Sequence, residues 1–294
     1  MPPSLPVSAN APLNADLHSH SVVSDGTLTP EDMAARAHAA GVQLWALTDH
    51  DEVGGVPRAR AAADALGLPF VAGVEISVSF AGQTVHVVGL GVDEHDATLG
   101  AALARNRGGR EPRARAMAAV FDRLGITNTY DGALAHVGNP ELISRTHFAR
   151  HLVERGVCRD MNDAFRKYLG DGKVAHVATP WAGLGEALGW IHGAGGVAVV
   201  AHPARYRFSP TVEYALFSEF TAHGGRGVEV VTGSHTAAEV VRYADLAREF
   251  GLAASRGSDF HGPGESRVEL GALPALASDL TPVWQLLDAA RPLS

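Results

Sequence analysis

Ala15-Asp16-Leu17-His18-Ser19-His20 is the stretch from which the architecture follows. Its alternating apolar and polar residues predict a β-strand near the start of the chain. Residues i and i+2 of a strand face the same side, so His18 and His20 are expected to project together at its end. Thr29 predicts an N-cap, and Pro30 suits the first helical position. A helix therefore follows the strand.

Strand and helix patterns continue to alternate along the chain. After the first helix, which we expect to end at Gly41, the sequence predicts strand, helix and strand over Leu44–Thr48, Val56–Leu66 and Phe70–Val78. A short turn before Thr84–Leu90 predicts a hairpin. Repeated strand-then-helix order predicts a mainly parallel sheet. The later elements are expected at Leu184–His192 (helix), Val197–Ala201 (strand), Val212–His223 (helix), Val228–Val231 (strand), Ala237–Phe250 (helix) and near Leu252–Ser255 (strand).

The middle of the chain has a different pattern. From about residue 99 to 168 the strand signal disappears, and helical patterns such as Arg113–Leu124 and Arg145–Arg155 replace it. A length of 294 residues suits one barrel with an insertion as well as two domains. We expect a flexible tail over 1–14, a barrel over 15–98 and 175–294, and a mostly helical insertion over 99–174.

Composition and charge exclude several classes of protein. The chain has 24 Lys and Arg against 32 Asp and Glu, a formal net charge of −8, which argues against binding to long duplex nucleic acid. With 46% hydrophobic and 19% charged residues, it can bury a core. Its apolar runs are far shorter than the roughly 20 residues of a membrane span, and the N-terminus lacks a secretory signal. The single cysteine, Cys158, fits a reducing cytoplasm. No obligate protein partner is evident.

Side chains that can bind metal follow one predicted strand after another. Because the carboxyl ends of parallel strands meet at one edge, we expect these side chains to converge. Any one histidine could instead be a structural residue, but so many charged and polar groups at one edge require partners or metals. Asp16 and Asp49 are candidates to orient the ligand imidazoles. Nine candidate ligands suffice for two or three ions: His18, His20, Asp25, His50, Glu75, His86, His202, Asp259 and His261.

Competing catalytic devices are weak in this sequence. Gly172-Lys173 is followed by Val174, so the phosphate-binding loop motif is missing. The nucleophile motif G-x-S-x-G is also missing, and the glycines around Gly195 precede a strand, which is the wrong order for a dinucleotide fingerprint. Cys158 has no clear histidine partner. The chemistry is therefore expected from bound metal ions.

One set of motifs runs from about residue 14 to 262: Asp16-Leu17-His18-Ser19-His20-Ser21, Ser24-Asp25-Gly26, Thr48-Asp49-His50-Asp51, Gly73-Val74-Glu75, Ala201-His202-Pro203 and Ser258-Asp259-Phe260-His261. This set resembles the polymerase and histidinol phosphatase (PHP) superfamily. The resemblance implies an α/β fold, a distorted (β/α)7 TIM-like barrel with a trinuclear centre, commonly of manganese, iron or zinc, and manganese is favoured here. It assigns His18, His20, Glu75 and Asp259 to one ion, Glu75, His86 and His202 to a second, and Asp25, His50 and His261 to the third.

The insertion carries further motifs: Ser144-Arg145-Thr146-His147-Phe148-Ala149-Arg150, Phe165-Arg166-Lys167-Tyr168-Leu169 and, beyond it, His202-Pro203-Ala204-Arg205-Tyr206. They resemble the subfamily of 3′,5′-nucleoside bisphosphate phosphatases and RNase AM type 5′-to-3′ exoribonucleases. This implies that the insertion covers the barrel mouth and binds substrate phosphates, with an ordinary solvated helix face as the alternative for each residue. The phosphate-binding residues implied are Arg145, His147, Lys173 and Arg205. A solvated face, with RNA contact as the lesser alternative, is expected for Arg105, Arg107, Arg110, Arg113 and Arg115.

These observations predict metal-dependent phosphoester hydrolysis, in which a metal-bound hydroxide attacks phosphorus in line. Either Asp25 or His202 is the candidate to assist the leaving oxygen. The expected substrates are 3′,5′-nucleoside bisphosphates, with pAp giving AMP and phosphate, and short 5′-phosphorylated RNA cut in the 5′-to-3′ direction. Two alternatives stay open. One is a phosphatase for histidinol phosphate or another small monoester, and the other is a non-catalytic metal-binding module.

Overall fold

A computed structural model describes residues 13–289 of the chain, so almost all of the predicted tail lies outside the described residues. Seven strands follow one another in a nearly closed barrel, in the order β1-β2-β3-β4-β6-β7-β8, and β5 pairs with β3 beside this path. All pairs are parallel except β3–β4 and β4–β6. The predicted α/β barrel and hairpin are confirmed. The strands are β1 (Ala15–Asp16), β2 (Leu44–Leu47), β3 (Phe70–Phe80), β4 (Gln83–Leu90), β5 (Ala182–Gly183), β6 (Val197–Val200), β7 (Gly227–Thr232) and β8 (Ala253–Gly257).

Helices cover the barrel and fill the chain between β4 and β5. Those that alternate with barrel strands are α1 (Pro30–Ala39), α2 (Val56–Leu66), α8 (Leu184–Gly193), α9 (Pro210–Ala222), α10 (Ala237–Phe250) and α11 (Trp284–Ala289). Those between β4 and β5 are α3 (Ala97–Arg107), α4 (Arg110–Arg123), α5 (Thr129–Leu134), α6 (Arg145–Glu154) and α7 (Met161–Ala164). Short 3₁₀ turns lie at Pro140–Leu142 and Pro203–Tyr206, and a π-helical turn lies at Phe165–Leu169.

Local chemistry sets the ends of the surface helices. The Thr29 side chain accepts a hydrogen bond from the Asp32 backbone N–H at 3.1 Å, which satisfies a free donor at the start of α1. Thr236 and Glu239 form a capping box at the start of α10. Gly67, with φ of 66°, ends α2 in the left-handed conformation that glycine adopts without strain. The observed bounds of α2 and α10 match the predicted ones.

The first strand is shorter than predicted. Only the first two residues of the expected strand Ala15–His20 form a ladder with β2. The backbone then turns to the last strand: the Leu17 N–H donates to the Arg256 carbonyl oxygen at 3.0 Å, and the Asp259 N–H donates to the His18 carbonyl oxygen at 2.8 Å. These bonds join the first and last strands and close the barrel, while on the other side the Thr48 N–H donates to the Ser19 carbonyl oxygen at 2.9 Å.

From α4 onward, the helices between β4 and β5 have a hydrophobic core of their own, distinct from the three hydrophobic clusters of the barrel and its surrounding helices. Helix α3 packs its buried Leu99 and Leu103 into the barrel core, beside α8. A second core begins only at Ala114, on α4, and includes Phe121 and Phe148, whose rings stack with centroids 6.1 Å apart. We call residues 110–177, which contain this second core, the cap. The first helix of the predicted insertion thus packs as a barrel helix.

Within residues 13–289, every helix is too short or too polar to cross a lipid bilayer.

Candidate metal centre and substrate cavity

The strand ends bring all nine predicted metal ligands together. They form four overlapping groups, and within each group one ligand atom per residue lies within 4.8 Å of the others. We call these nine residues the rim cluster. The groups are His20, Asp25, His50 and His261; His18, Glu75 and His202; His18, His20 and Asp259; and His50, Glu75 and His86.

Glu75, on β3, lies at the centre of the rim cluster and is fully buried. Its Oε1 atom is 2.9 Å from His86 Nδ1 and 2.9 Å from His202 Nε2. The same oxygen is 3.3 Å from His18 Nε2, and Oε2 is 2.8 Å from His50 Nδ1. One carboxylate thus contacts imidazoles from four parts of the barrel. This arrangement suits a carboxylate shared between ions.

A second carboxylate, Asp25, lies in the loop between β1 and α1. Its Oδ1 atom is 3.3 Å from His261 Nε2 and 3.7 Å from His50 Nε2. A third carboxylate, Asp259, places Oδ1 3.2 Å from His20 Nε2. The donors are therefore spread over several neighbouring positions, as a centre with more than one ion requires.

The chain is strained where it delivers two of these residues. His202, after β6, has φ of 27°, and Asp259, after β8, has φ of 55°. Positive φ is uncommon outside glycine and costs free energy that the surrounding structure must offset. Here the His202 backbone N–H donates to Glu229 Oε2 at 2.6 Å. The Glu229 side chain thus helps to hold the strained backbone that presents His202.

Buried atoms without partners show that the rim cluster fits metal ions. Among the described residues, five buried rim-cluster atoms make no hydrogen bond of normal geometry, although three of them lie 2.8 to 3.3 Å from another ligand atom. Imidazole and carboxylate donors together suit manganese, iron or zinc. The atoms are His20 Nδ1, Asp25 Oδ1, His50 Nδ1, Glu75 Oε2 and His202 Nδ1.

Charge in the rim cluster favours the ligand forms of Glu75 and of two histidines, whereas, against the effect of burial, nearby carboxylates raise the pKa values of His18, His50 and His261. Burial and the nearby His261 lower the pKa of His20 to about 3, and burial with Arg205 lowers the pKa of His202 to about 3. Both imidazoles are thus neutral, as metal binding requires. Burial opposes ionisation of Glu75, but neighbouring histidines hold its pKa well below the usual range. The carboxylate is therefore ionised near neutral pH.

The two acids expected to orient ligand imidazoles have other partners. Asp16 accepts hydrogen bonds from the backbone N–H groups of Ser258 and Gly271, both at 2.8 Å. Asp49 accepts from the Ser21 and Ser24 hydroxyls at 2.7 and 2.6 Å. Both carboxylates shape loops beside the rim cluster, because backbone N–H and hydroxyl donors lie nearer to them than the imidazoles.

Glu229, which sequence reasoning missed, takes the orienting position. This buried residue on β7 lies 2.6 Å from His18 Nδ1 through Oε1, and its Oε2 accepts from the His202 backbone. Such a hydrogen bond fixes the orientation of a ligand imidazole. The signal was a single carboxylate inside the apolar run Gly227–Thr232, which is unusual for a strand buried on both faces.

The rim cluster opens into a cavity of about 150 Å³ whose other wall is the cap. We call it the inner cavity. The Ser144 hydroxyl, at the start of α6, donates to Asp25 Oδ2 at 3.3 Å, and Arg150 donates to the Asp25 carbonyl oxygen at 2.5 Å. These two contacts join the cap directly to the rim cluster.

The arginine run does not form the single solvated face that the sequence predicted. Arg110 is buried, and its Nη2 donates to the buried Asp51 at 2.5 Å. Arg113 also lines the inner cavity, whereas Arg115 points outward and pairs with Glu111. The correction has a physical reason: Asp51, another residue that sequence reasoning gave no role, supplies the charge that Arg110 needs to be buried.

A wider cleft of about 1150 Å³ continues outward from the inner cavity. We call it the outer cleft. Arg145 and Arg205 line both spaces, and Arg205 is ion-paired with Asp259. Lys173 lines only the outer cleft. His147 lines neither, because it is buried and its Nδ1 accepts from the Ser144 backbone N–H at 3.0 Å.

An α/β barrel with a histidine- and carboxylate-rich rim beneath a helical cap is thus the class that the fold and site define. The chain belongs to the PHP domain family. A profile of that family, the PHP domain, matches residues 16–136. The membership rests on this match and on relatives that align along nearly the whole chain.

Two relatives illustrate the similarity in sequence. A protein of Chromobacterium violaceum named 3′,5′-nucleoside bisphosphate phosphatase is 49% identical over 94% of this chain and 97% of its own length. An Escherichia coli protein named 5′-3′ exoribonuclease Rnm is 38% identical over 93% of each chain.

Solved structures show the same similarity in fold. One from Chromobacterium violaceum, described as an amidohydrolase with bound sulfate, aligns with a TM-score of 0.91 at 49% identity, over 94% of this chain and 96% of that one. Another from Bifidobacterium adolescentis, described as a metal-dependent phosphoesterase, aligns with a TM-score of 0.78 at 30% identity, over 95% and 96%.

Proposed function

We propose that this protein is a metal-dependent phosphoesterase that removes the 3′-phosphate of 3′,5′-nucleoside bisphosphates and shortens 5′-phosphorylated RNA from its 5′ end. The observation that carries the proposal is one inner cavity lined by the rim cluster on one side and by cap arginines on the other. Relatives that align over at least nine-tenths of this chain are named for these two activities.

We further propose that three divalent ions occupy the rim cluster, with manganese favoured and iron or zinc as alternatives. The ligands assigned are the nine rim-cluster residues, grouped as in the family, with Glu75 shared between two ions. Such ions supply a water-derived nucleophile at neutral pH and neutralise charge on the phosphate.

The chain's own residues bind and orient the substrate in this proposal. Arg145 and Arg205 lie where the inner cavity meets the outer cleft, so their guanidinium groups can contact phosphate oxygens. Lys173 adds a point charge further out. His147 would act through Ser144, because its imidazole accepts a hydrogen bond from the Ser144 backbone and the Ser144 hydroxyl contacts Asp25. It is thus proposed as a positioning residue.

Neither candidate for assisting the leaving oxygen is in its acidic form near neutral pH, since His202 is a neutral imidazole and Asp25 is ionised. The pKa of His202 is about 3, and His50 and His261, against the effect of burial, hold the pKa of Asp25 well below its usual range. Asp25 and His202 stay the proposed candidates to assist the leaving oxygen, through their position in the inner cavity. The leaving oxygen would take its proton from water in the open inner cavity.

One mechanism serves both substrates. If the same residues hold the 5′-phosphate and hydroxide attacks the adjacent 3′-linked phosphorus, the bond from that phosphorus to the 3′ oxygen of the first nucleotide breaks in both reactions. The 3′ oxygen leaves and takes up a proton, and the attacked phosphorus departs as phosphate from pAp or stays as the new 5′-phosphate of the shortened RNA. Small nucleotides and short RNA are the proposed partners, and long duplexes are not. The single, buried cysteine, Cys158, fits the proposed location in the cytoplasm.

Phosphate release from pAp, 3′-AMP, 5′-AMP and histidinol phosphate, with manganese present, tests the proposal. We expect pAp to be the best substrate by kcat/KM and 5′-AMP to be resistant. Preference for histidinol phosphate would favour the small-monoester alternative. Failure of the metal-loaded protein to hydrolyse any of them, or a 5′-phosphorylated RNA, would favour a non-catalytic module.

A further inference from the structure

Three arginine side chains of the cap reach one wall of the inner cavity: Arg110, Arg113 and Arg145. Two of them have carboxylate partners. Arg110 pairs with Asp51 at 2.5 Å, and Arg145 pairs with Asp171 at 2.7 Å. Among the described residues, Arg113 has a carbonyl oxygen as its hydrogen-bond acceptor and no carboxylate partner. The wall therefore has one positive charge more than its partners neutralise.

Arg113 is held in place by groups that leave most of its donors unused. Its Nε–H donates to the Val177 carbonyl oxygen at 3.0 Å. The Trp181 ring lies against it, with the guanidinium carbon 5.6 Å from the ring centroid, and Trp181 is itself fixed by a hydrogen bond to Thr84 at 3.1 Å. The two Nη groups make no hydrogen bond within residues 13–289. The fork of donors is thus oriented before any ligand arrives.

The surroundings make this charge costly until an anion is present. Burial lowers the pKa of Arg113 to about 9, and repulsion from Arg145 and Arg110 acts in the same direction. The guanidinium still carries its proton at neutral pH. Because the cost comes from burial and from repulsion between positive charges, an anion that enters the inner cavity offsets it.

The number of free hydrogen-bond donors in this wall indicates which kind of phosphate binds here. A phosphate monoester carries about −1.5 to −2 near pH 7 and has three terminal oxygens, whereas a phosphodiester carries one charge and two such oxygens. Arg110, Arg145 and Arg113 each keep N–H donors that their carboxylate and carbonyl partners do not use, and several such donors match the three terminal oxygens of the monoester better than the two of a diester. The inner cavity has a volume of about 150 Å³, and the outer cleft has a volume of about 1150 Å³. The 5′ end of an RNA therefore fits the inner cavity, and the rest of the RNA fits the outer cleft.

Resting on the proposed function, we infer that Arg113, aligned by Trp181 and flanked by Arg110 and Arg145, binds the 5′-terminal phosphate monoester of the substrate. This contact places the first 3′-linked phosphorus at the rim cluster. It determines that the cut falls one nucleotide from a phosphorylated 5′ end. Arg113 is then a specificity residue for the 5′-phosphate and takes no part in the chemistry.

Substituting Arg113 by methionine tests the inference, because it keeps the length and apolar contacts of the stem. With pAp we expect Arg113→Met to lower kcat/KM on the order of 100-fold, since a buried charge contact is lost. With 3′-AMP, which lacks the 5′-phosphate, we expect a change below about twofold. Arg113→Lys should recover part of the loss, because it restores charge without the fork.

Arg123→Met is the matched control, because Arg123 lies on the same helix and is exposed. It should leave both substrates unaffected. Equal losses for pAp and 3′-AMP in Arg113→Met would overturn the inference, as would no loss for either. Unfolding curves of the three variants, compared with the wild type, show whether a loss is due to misfolding. If Arg113→Met does not fold, Arg113→Lys decides by the same pair of substrates.

Measurements of ligand binding distinguish failure of this inference from failure of the proposed function. If the wild type hydrolyses neither substrate, the proposed activity fails, but calorimetry with 5′-AMP and adenosine still tests the phosphate contact. We expect 5′-AMP to bind more tightly than adenosine, and Arg113→Met to remove most of that difference. Equal binding of the two compounds by the wild type would contradict the inference on its own.

Discussion

The rim cluster and the cap present charge to the same inner cavity by different means. Rim residues project from strand ends and from loops held by backbone hydrogen bonds, and most are almost completely buried. The cap residues lie on helices with a separate hydrophobic core, and each arginine depends on a particular side-chain or backbone partner. Rigid strands suit reacting groups, which need fixed geometry, and helices of an insertion suit groups that choose the substrate.

Removal of metal tests the rim cluster as a whole and has the largest expected effect. After chelation and desalting, we expect phosphate release from pAp to fall to background and to return with manganese. The unfolding temperature should also fall by a few degrees, since ions that bind only the folded state stabilise it. Full activity in protein with almost no metal by elemental analysis would contradict this.

Glu75→Gln tests the centre of the rim cluster. The amide keeps the size of the side chain but removes the charge that faces four imidazoles, so we expect kcat/KM for pAp to fall on the order of 1,000-fold. Metal content per chain should fall with it. Glu249→Gln, at an exposed site on α10, is the control and should match the wild type. Retention of both metal and activity in Glu75→Gln would remove Glu75 from the centre.

Glu229→Gln tests whether the orientation of the His18 imidazole affects metal binding and activity. Loss of the carboxylate beside His18 Nδ1 is expected to weaken manganese binding and activity about 10- to 100-fold. The activity loss should shrink at high manganese, which a purely structural role would not produce. Glu219→Gln, exposed on α9, is the control. An unchanged manganese titration would show that Glu229 does not position a ligand.

Lys173→Met tests a cap residue of the outer cleft and has the smallest expected effect. Because Lys173 lines only the outer cleft, we expect KM for a short 5′-phosphorylated RNA to rise about three- to tenfold, with kcat unchanged and pAp little affected. Lys167→Met is the control, since the chain's other lysine pairs with Asp163 at 2.8 Å. A larger effect on pAp than on RNA would place Lys173 nearer to the rim cluster.

Much of the barrel could be predicted because its signals are local. Helix α2 starts and ends where its proline and Gly67 indicate, and α10 where its capping box indicates. His18 and His20 could be named as ligands because residue type and position at a strand end are both written in the chain. By contrast, closure of the barrel depends on bonds between the segment after β1 and the end of β8, more than two hundred residues away.

What sequence could not supply was the partner of each charged side chain. The orienting role of Glu229 depends on the folding that brings its side chain from β7 to His18 Nδ1. The direction of the Arg113 side chain depends on Trp181, which follows it by 68 positions. The sequence alone determined the alternating architecture and the donors of the rim, because periodicity and residue chemistry are local. Only the tertiary structure decided which arginines face the inner cavity, because burial of a charge depends on groups brought near by folding.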